Sequence, residues 1–239
     1  MKFHKLMATA LLFVALDSRA SLIHHYELNG SLADSQGGKS LVAHAGGQLG
    51  ASGYAFGPNQ GLRLDEKLGG VYTIDMTFRL DAFNAYNSYT RLLDFRNLAD
   101  DTGLYTWTDK FNLYNYGTSA GKLELGKDTR LTITRDSGKM FNLYKNGDLV
   151  MSILDKDNVA DFTANAMHFF RDNGGEAGRG AVDYISIYNH SMTGAEVKVL
   201  QPPATDLPEP GSLGMMAGSL AMLGWMVRRR RKAEQGLDA

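Results

Sequence analysis

Ten residues, Val71-Tyr-Thr-Ile-Asp-Met-Thr-Phe-Arg-Leu80, constrain this chain more than any others, because most of the run alternates. Tyr72, Ile74, Met76, Phe78 and Leu80 share one side, with Thr73, Asp75, Thr77 and Arg79 on the other. A period of two belongs to a strand with one buried face; a helix would scatter those apolar residues around its circumference. Leu131 and Ile133 against Thr132 and Thr134 repeat the pattern. Val182, Tyr184, Ser186 and Tyr188 against Asp183, Ile185 and Ile187 have apolar residues on both sides, which predicts a central strand. Asn146-Gly147 lies between Phe141-Asn-Leu-Tyr144 and Leu149-Val-Met-Ser-Ile153, and readily takes the positive φ values of a type I′ hairpin turn. With Asp136-Ser-Gly138 as the preceding turn, residues 129–154 predict a three-stranded meander.

One helix is expected in the body. Thr193-Gly-Ala-Glu196 matches a capping box, Met192 and Val197 sit where a hydrophobic staple would, and Pro202-Pro203 follows Leu200. Many short strands with almost no helix predict an all-β sandwich of two antiparallel sheets. There is no cysteine, so burial alone must hold the fold, which a body of residues 21–207 is large enough to allow. That body carries 17 basic and 22 acidic residues and no basic run, which argues against nucleic acid.

The two ends read differently. Lys2 and Lys5 precede the apolar stretch Leu6–Leu16, and Ser18-Arg19-Ala20 supplies small residues where a signal peptidase cuts, so residues 1–20 predict a signal peptide. Within that body residues 21–200 form the sandwich domain, and 201–210 is a Pro-rich linker ending in Pro208-Glu209-Pro210. Gly211–Val227 is uncharged and spans about 25 Å as a helix, the lower limit for crossing a bilayer. Arg228, Arg229, Arg230, Arg231 and Lys232 open a basic tail, 228–239, that would stay cytoplasmic and leave the body outside.

Four segments in order, Tyr26-Glu-Leu-Asn-Gly-Ser-Leu-Ala-Asp34-Ser, Tyr72–Phe78, Tyr144-Lys-Asn-Gly147 and Gly180-Ala-Val-Asp183-Tyr-Ile-Ser-Ile-Tyr188, make residues 22–200 resemble the concanavalin A-like, laminin G-like domains. That resemblance implies a jelly-roll sandwich. It also implies that Asp34 and Asp183 come together near one edge, where some members bind Ca²⁺, with Glu27 and Asn29 as further oxygen donors. The tail resembles the PEP-CTERM sorting signal, departing from it in the extension Ala233–Ala239. This second likeness implies an exosortase-type membrane enzyme as partner and a place in the envelope or at the surface of a Gram-negative bacterium.

Gly117-Thr-Ser119-Ala-Gly121 has the spacing of a hydrolase nucleophile elbow, but Lys122-Leu-Glu-Leu125 after it reads as a strand edge and the Gly/Ser cluster as a hairpin loop, so no helix follows the serine. Laminarinase-like enzymes of this fold carry two glutamates on one strand. Here Glu27, Glu66, Glu124, Glu176 and Glu196 are too far apart for that, leaving an aspartate-based or cross-strand pair open. Tyr86, Tyr89, Tyr105, Trp107, Tyr114 and Tyr116 could stack sugar rings on one face. The expectation is therefore a non-catalytic binding or structural module of the envelope or extracellular matrix, taking a polysaccharide or surface protein. The alternative is a polysaccharide hydrolase on the same fold.

Overall fold

The computed structural model describes residues 21–200 except 45, 85 and 86. The signal peptide, the linker with Pro208-Glu209-Pro210, the apolar segment and Arg228–Arg231 all lie outside the described residues. Among the described residues, no helix is long and apolar enough to cross a membrane.

The chain opens with β1 (Leu22–Tyr26), β2 (Val42–Ala43), β3 (Gln48–Gly50), β4 (Gly53–Phe56) and β5 (Leu62–Leu64). Longer strands follow as β6 (Tyr72–Ala82), β7 (Tyr89–Asp94), β8 (Gly103–Trp107), β9 (Lys110–Leu113) and β10 (Gly117–Lys122). The second half contributes β11 (Thr129–Arg135), β12 (Met140–Lys145), β13 (Asp148–Leu154), β14 (Met167–Phe169), β15 (Arg179–Tyr188) and α1 (Gly194–Val199). One sheet has the order β13-β12-β11-β6-β15-β4-β3, with β1 also on β15; the other runs β10-β9-β8-β7-β14-β5-β2. All pairings are antiparallel.

The core lies between the two sheets. Tyr72, Ile74, Met76, Phe78 and Leu80 of β6 meet Leu62, Leu92, Leu104, Phe111 and Phe169 from the opposite layer. The predicted alternation of β6 holds, yet Thr73 and Asp75 are buried as well. Residues 190–192 cover that outer face, where Thr73 Oγ1 donates to the His190 carbonyl (2.7 Å) and accepts from the Met192 amide (2.9 Å). Helix α1 begins with the expected reciprocal cap between Thr193 and Glu196. Met192 and Val197 then pack on Tyr144 and Tyr188. The meander forms as β11-β12-β13, and Asn146 (φ 52°) and Gly147 (φ 87°) both take the left-handed conformation its turn needs.

Two readings of the sequence are corrected. β15 is central, but a register shift between Val182 and Tyr184 moves Val182 into the core with Ile185 and Ile187, away from the Tyr184 side. Gly117–Lys122 is the edge strand β10 rather than a loop, and 123–125 is not a strand. Ser119 Oγ there accepts from the Phe111 amide (3.1 Å) and donates to the Gly121 carbonyl (2.7 Å), a strand-pinning role.

Candidate functional site

The outer face of the seven-stranded sheet carries charge where a sandwich surface ordinarily would not hide it. On β7 a register shift between Arg91 and Leu93 breaks the alternation. Leu92 and Leu93 both enter the core, and the polar residues Arg91 and Asp94 on either side of them pair with each other. Neither side chain is exposed. The Arg91 Nε–H donates to Tyr105 Oη on the paired strand β8 (2.5 Å), Nη2–H to the Asp100 carbonyl (3.0 Å), and Nη1–H to Asp94 Oδ1 (3.4 Å). Asp172 Oδ1 lies 3.0 Å from Nε and Asp101 Oδ1 lies 3.7 Å from Nη2. Gly103, opposite Asp94 on β8, makes room for this: a Cβ there would sit 2.8 Å from the Leu93 carbonyl oxygen and 3.4 Å from Arg91 Nε.

Two loops close over the guanidinium. After β7, Asp94 Oδ2 accepts from the Leu98 amide (3.0 Å), with Asn97 and Leu98 both at positive φ. After β14, Asp172 Oδ2 accepts from the amides of Gly174 (2.7 Å) and Glu176 (3.1 Å), and the Arg91 amide donates to the Glu176 carbonyl (2.8 Å). Burial holds the Asp94 carboxyl up at about 6, against the downward pull of the Leu98 amide and Arg91. Burial also raises Glu176; Asn87, hydrogen-bonded to it, draws it down, and Asp172 and Asp101 push it further up.

Beside this cluster is a recess of about 250 Å³ lined by Asn87, Asp101, Asp172, Asn173, Gly174, Gly175 and Glu176. Asn87 ties it to an aromatic ledge, since its Oδ1 accepts from the Tyr89 amide (3.1 Å). Tyr89 stacks on Trp107 (6.2 Å between centroids, 22°) and meets Tyr105 and Tyr114 edge-on (5.9 and 6.0 Å). Trp107, 45 % exposed, is the open end of the ledge. Such an arrangement can stack a sugar ring, hydrogen-bond its hydroxyls through Asn87 and Asp101, and present a carboxyl inclined to keep its proton.

Of the aromatic residues singled out from sequence, Tyr89, Tyr105, Trp107 and Tyr114 come together here. Tyr116 instead packs against the core with its hydroxyl on Asp157, and Tyr86 lies outside the described residues. Arg91, Asp94, Asp172 and the recess were not anticipated. The one available signal was Arg91-Leu-Leu-Asp94, where two leucines interrupt the alternation.

Asp34 and Asp183 do not share a site. Asp34 Oδ1 accepts from the amides of His25 (2.8 Å) and Gln36 (3.0 Å), and Oδ2 from the Gly38 amide (2.9 Å) and His24 Nδ1 (2.7 Å). Burial would raise its carboxyl, but the His25 and Gln36 amides and His24 hold it below the usual range. Its oxygens are thus taken up by the protein, with Glu27 and Asn29 in the same recess and hydrogen-bonded to each other. Asp183 lines a different recess with Gly53 and Arg79, and burial followed by Asp128 pushes its carboxyl up. A cation held jointly by the two carboxylates does not fit this arrangement. Among the described residues no three His, Asp or Glu side chains are grouped to hold a metal ion.

The two-sheet sandwich with a sugar-compatible outer face defines a class, and the sequence gives its family. A profile described as the concanavalin A-like lectin/glucanases superfamily (Laminin_G_3) matches residues 69–198, more than half of the chain. The chain belongs to that family. No curated protein is a match. Solved structures that it resembles include the Trypanosoma rangeli sialidase (16 % identity, TM-score 0.59, covering 74 % of this chain and 32 % of the sialidase). Another is domain 4 of a GH43 extracellular arabinanase from Geobacillus stearothermophilus, solved with arabinotriose (19 %, 0.54, covering 75 % and 97 %). A third is the receptor binding domain of a botulinum neurotoxin C/D mosaic serotype (11 %, 0.59, covering 75 % and 50 %). The chain spans about a third of the length of the sialidase chains it matches, and identities this low establish shared fold.

These neighbours correct the expected function. The sialidase and arabinanase domains among them agree better with the carbohydrate-active alternative than with the expected non-catalytic binding or structural module, and what they share with this chain is the fold.

Proposed function

We propose that the chain acts on polysaccharide as a hydrolase of glycosidic bonds, with substrate lying on the outer face of the seven-stranded sheet. The observation that carries this reading is contiguity: an aromatic ledge ending in Trp107 runs into a carboxyl-lined recess through Asn87. In this reading Glu176 donates the proton to the leaving oxygen, a role suited to a carboxyl raised by burial. Asp101, from the facing loop and 52 % exposed, is the second carboxyl that glycosidic hydrolysis requires. The pair joins two loops, so the missing twin glutamates on one strand do not count against it. Arg91 acts as a positioning residue, fixing Asp172 and through it the Glu176 loop.

Export remains part of the proposal. Residues 1–20 serve as a leader, and the PEP-CTERM-like segment from Pro208 to Arg231 meets an exosortase-type enzyme at the membrane. Cell fractionation should find the body outside the cytoplasm; an unprocessed cytosolic protein would contradict this.

The catalytic reading is tested by release of reducing ends from arabinan, β-glucan and sialylated glycans. Glu176→Gln should lower turnover on the active polymer by at least ~100-fold, while Trp107→Ala raises KM with a smaller change in kcat. No release from any polymer, or full activity in Glu176→Gln, would overturn it.

A further inference from the structure

We infer that Asn173 is a self-modification site, deamidated by attack of the neighbouring Gly174 nitrogen with Asp172 as the base. The inference goes beyond the hydrolytic reading and does not depend on it.

The chain holds three Asn-Gly pairs, Asn29-Gly30, Asn146-Gly147 and Asn173-Gly174. Glycine has no Cβ and a permissive backbone, so its nitrogen can reach the preceding asparagine Cγ and close a five-membered imide. The fold sets the three pairs apart by what holds the reacting groups. At Asn29 the Gly30 N–H donates to the Gly50 carbonyl (2.7 Å), a far weaker base than a carboxylate, and the side-chain amide donates to Glu27 (2.7 Å). At Asn146 the side-chain oxygen accepts from the Arg130 amide (3.0 Å) and the main-chain amide donates to the Arg130 carbonyl (2.9 Å). That clamps the side chain to β11, beside a buried Gly147. Asn173 and Gly174 are both exposed, and the Asn173 side chain has no hydrogen-bond partner among the described residues.

The nucleophile is the second difference. The Gly174 N–H donates to Asp172 Oδ2 (2.7 Å), so the proton that must leave before the nitrogen can attack already faces a carboxylate. Asp172 is fixed in that position: its Oδ1 lies 3.0 Å from Arg91 Nε, and Asn59 holds both its amide (2.8 Å) and the Gly174 carbonyl (2.9 Å). Asp172 Oδ2 takes the proton as the Gly174 nitrogen bonds to Asn173 Cγ, and gives it to the departing Nδ2, which leaves as ammonia. Water then opens the imide at either carbonyl, giving aspartate or β-linked isoaspartate at position 173. Either product adds a carboxyl to the recess. Isoaspartate also lengthens the main chain by one carbon between Asp172 and the Gly174 and Glu176 amides that it holds.

Peptide mapping by mass spectrometry of the full chain, aged at mildly alkaline pH either folded or in concentrated urea, tests this without reference to any substrate. In urea the three Asn-Gly pairs should react at comparable rates. In the folded chain Asn173 should react at least as fast as it does in urea, and at least ~10-fold ahead of Asn29 and Asn146. Asp172→Asn, which keeps the shape and removes the base, should slow Asn173 several-fold in the folded chain and leave the other two unchanged. A variant that fails to fold shows the urea pattern at all three pairs, and the wild-type comparison then decides alone. Asn173 slower in the folded chain than in urea, or no faster than Asn29 and Asn146, would overturn the inference. An undiminished Asn173 rate in folded Asp172→Asn would overturn the role of Asp172 as base.

Discussion

Asp94 and His168 are paired across adjacent strands β7 and β14, and their protonation is set in opposite directions. Burial carries Asp94 up to about 6 from an ordinary 3.8. His168 Nε2–H donates to Asn97 Oδ1 (3.0 Å) and its Nδ1 accepts from Arg171 Nη1 (3.4 Å), and burial, then Arg171 and Arg63, hold it down at about 4 from 6.5. Between pH 4 and 6 the folded chain keeps the Asp94 proton that the unfolded chain has lost, so stability from this group falls as pH rises. Over nearly the same window the unfolded chain holds a His168 proton that the folded chain lacks, so stability from that group rises with pH. The two slopes nearly cancel, each about 1.4 kcal/mol per pH unit at most. Urea midpoints at pH 4, 5 and 6 should therefore diverge on mutation. Relative to the wild type, His168→Gln should lose stability as pH rises, and Asp94→Asn should gain it. Parallel pH profiles for the three proteins would contradict the assignment.

At the scale of elements, what could be read from the sequence and what could not divide along one physical line. Strand β6, the β11-β12-β13 meander, the Asn146-Gly147 turn and the Thr193–Glu196 cap are local: each is specified by neighbours within a few residues. The shifts at Arg91/Leu93 and Val182/Tyr184 are not, because a bulge is tolerated only where the partner strands accept it. The recess is less local still, joining Asn87, Asp101 and the 172–176 loop from three connections. The same hidden logic governs Arg135 of β11. Its Nε–H donates to the fully buried Asp155 (2.8 Å), whose oxygens also accept from the amides of Val159 (2.7 Å) and Ala160 (3.1 Å). Asp155→Ala strands a buried guanidinium and should cost about 3–5 kcal/mol in chemical denaturation. Thr193→Ala, which removes only the cap of a short helix, should cost about 1 kcal/mol. Equal costs would mean that the buried pair does not hold this loop to the sheet.

The whole molecule separates two uses of polar burial. On the eight-stranded sheet, Asp75 accepts from Thr132 (2.6 Å), Arg130 (2.9 Å) and Tyr184 (2.7 Å), so both its oxygens are engaged and the network ties strands together. On the seven-stranded sheet the Arg91 network retains an oxygen without a hydrogen bond and adjoins a recess and an exposed indole. The Asp75 network also keeps one unpartnered buried atom, Arg130 Nη2, so the recess and the exposed indole are what set the seven-stranded side apart and carry the proposal of a glycan site there. The chain has two tryptophans, Trp107 and Trp225, and Trp107 belongs to the ledge. The most direct measurement is the indole N–H resonance of Trp107 in the full chain, assigned by Trp107→Phe, during titration with the oligosaccharide that the protein binds best. It should shift saturably together with the Asn87 and Glu176 amides. A saturable shift confined to the recess of Glu27, Asn29 and Asp34, with Trp107 unmoved, would contradict the account.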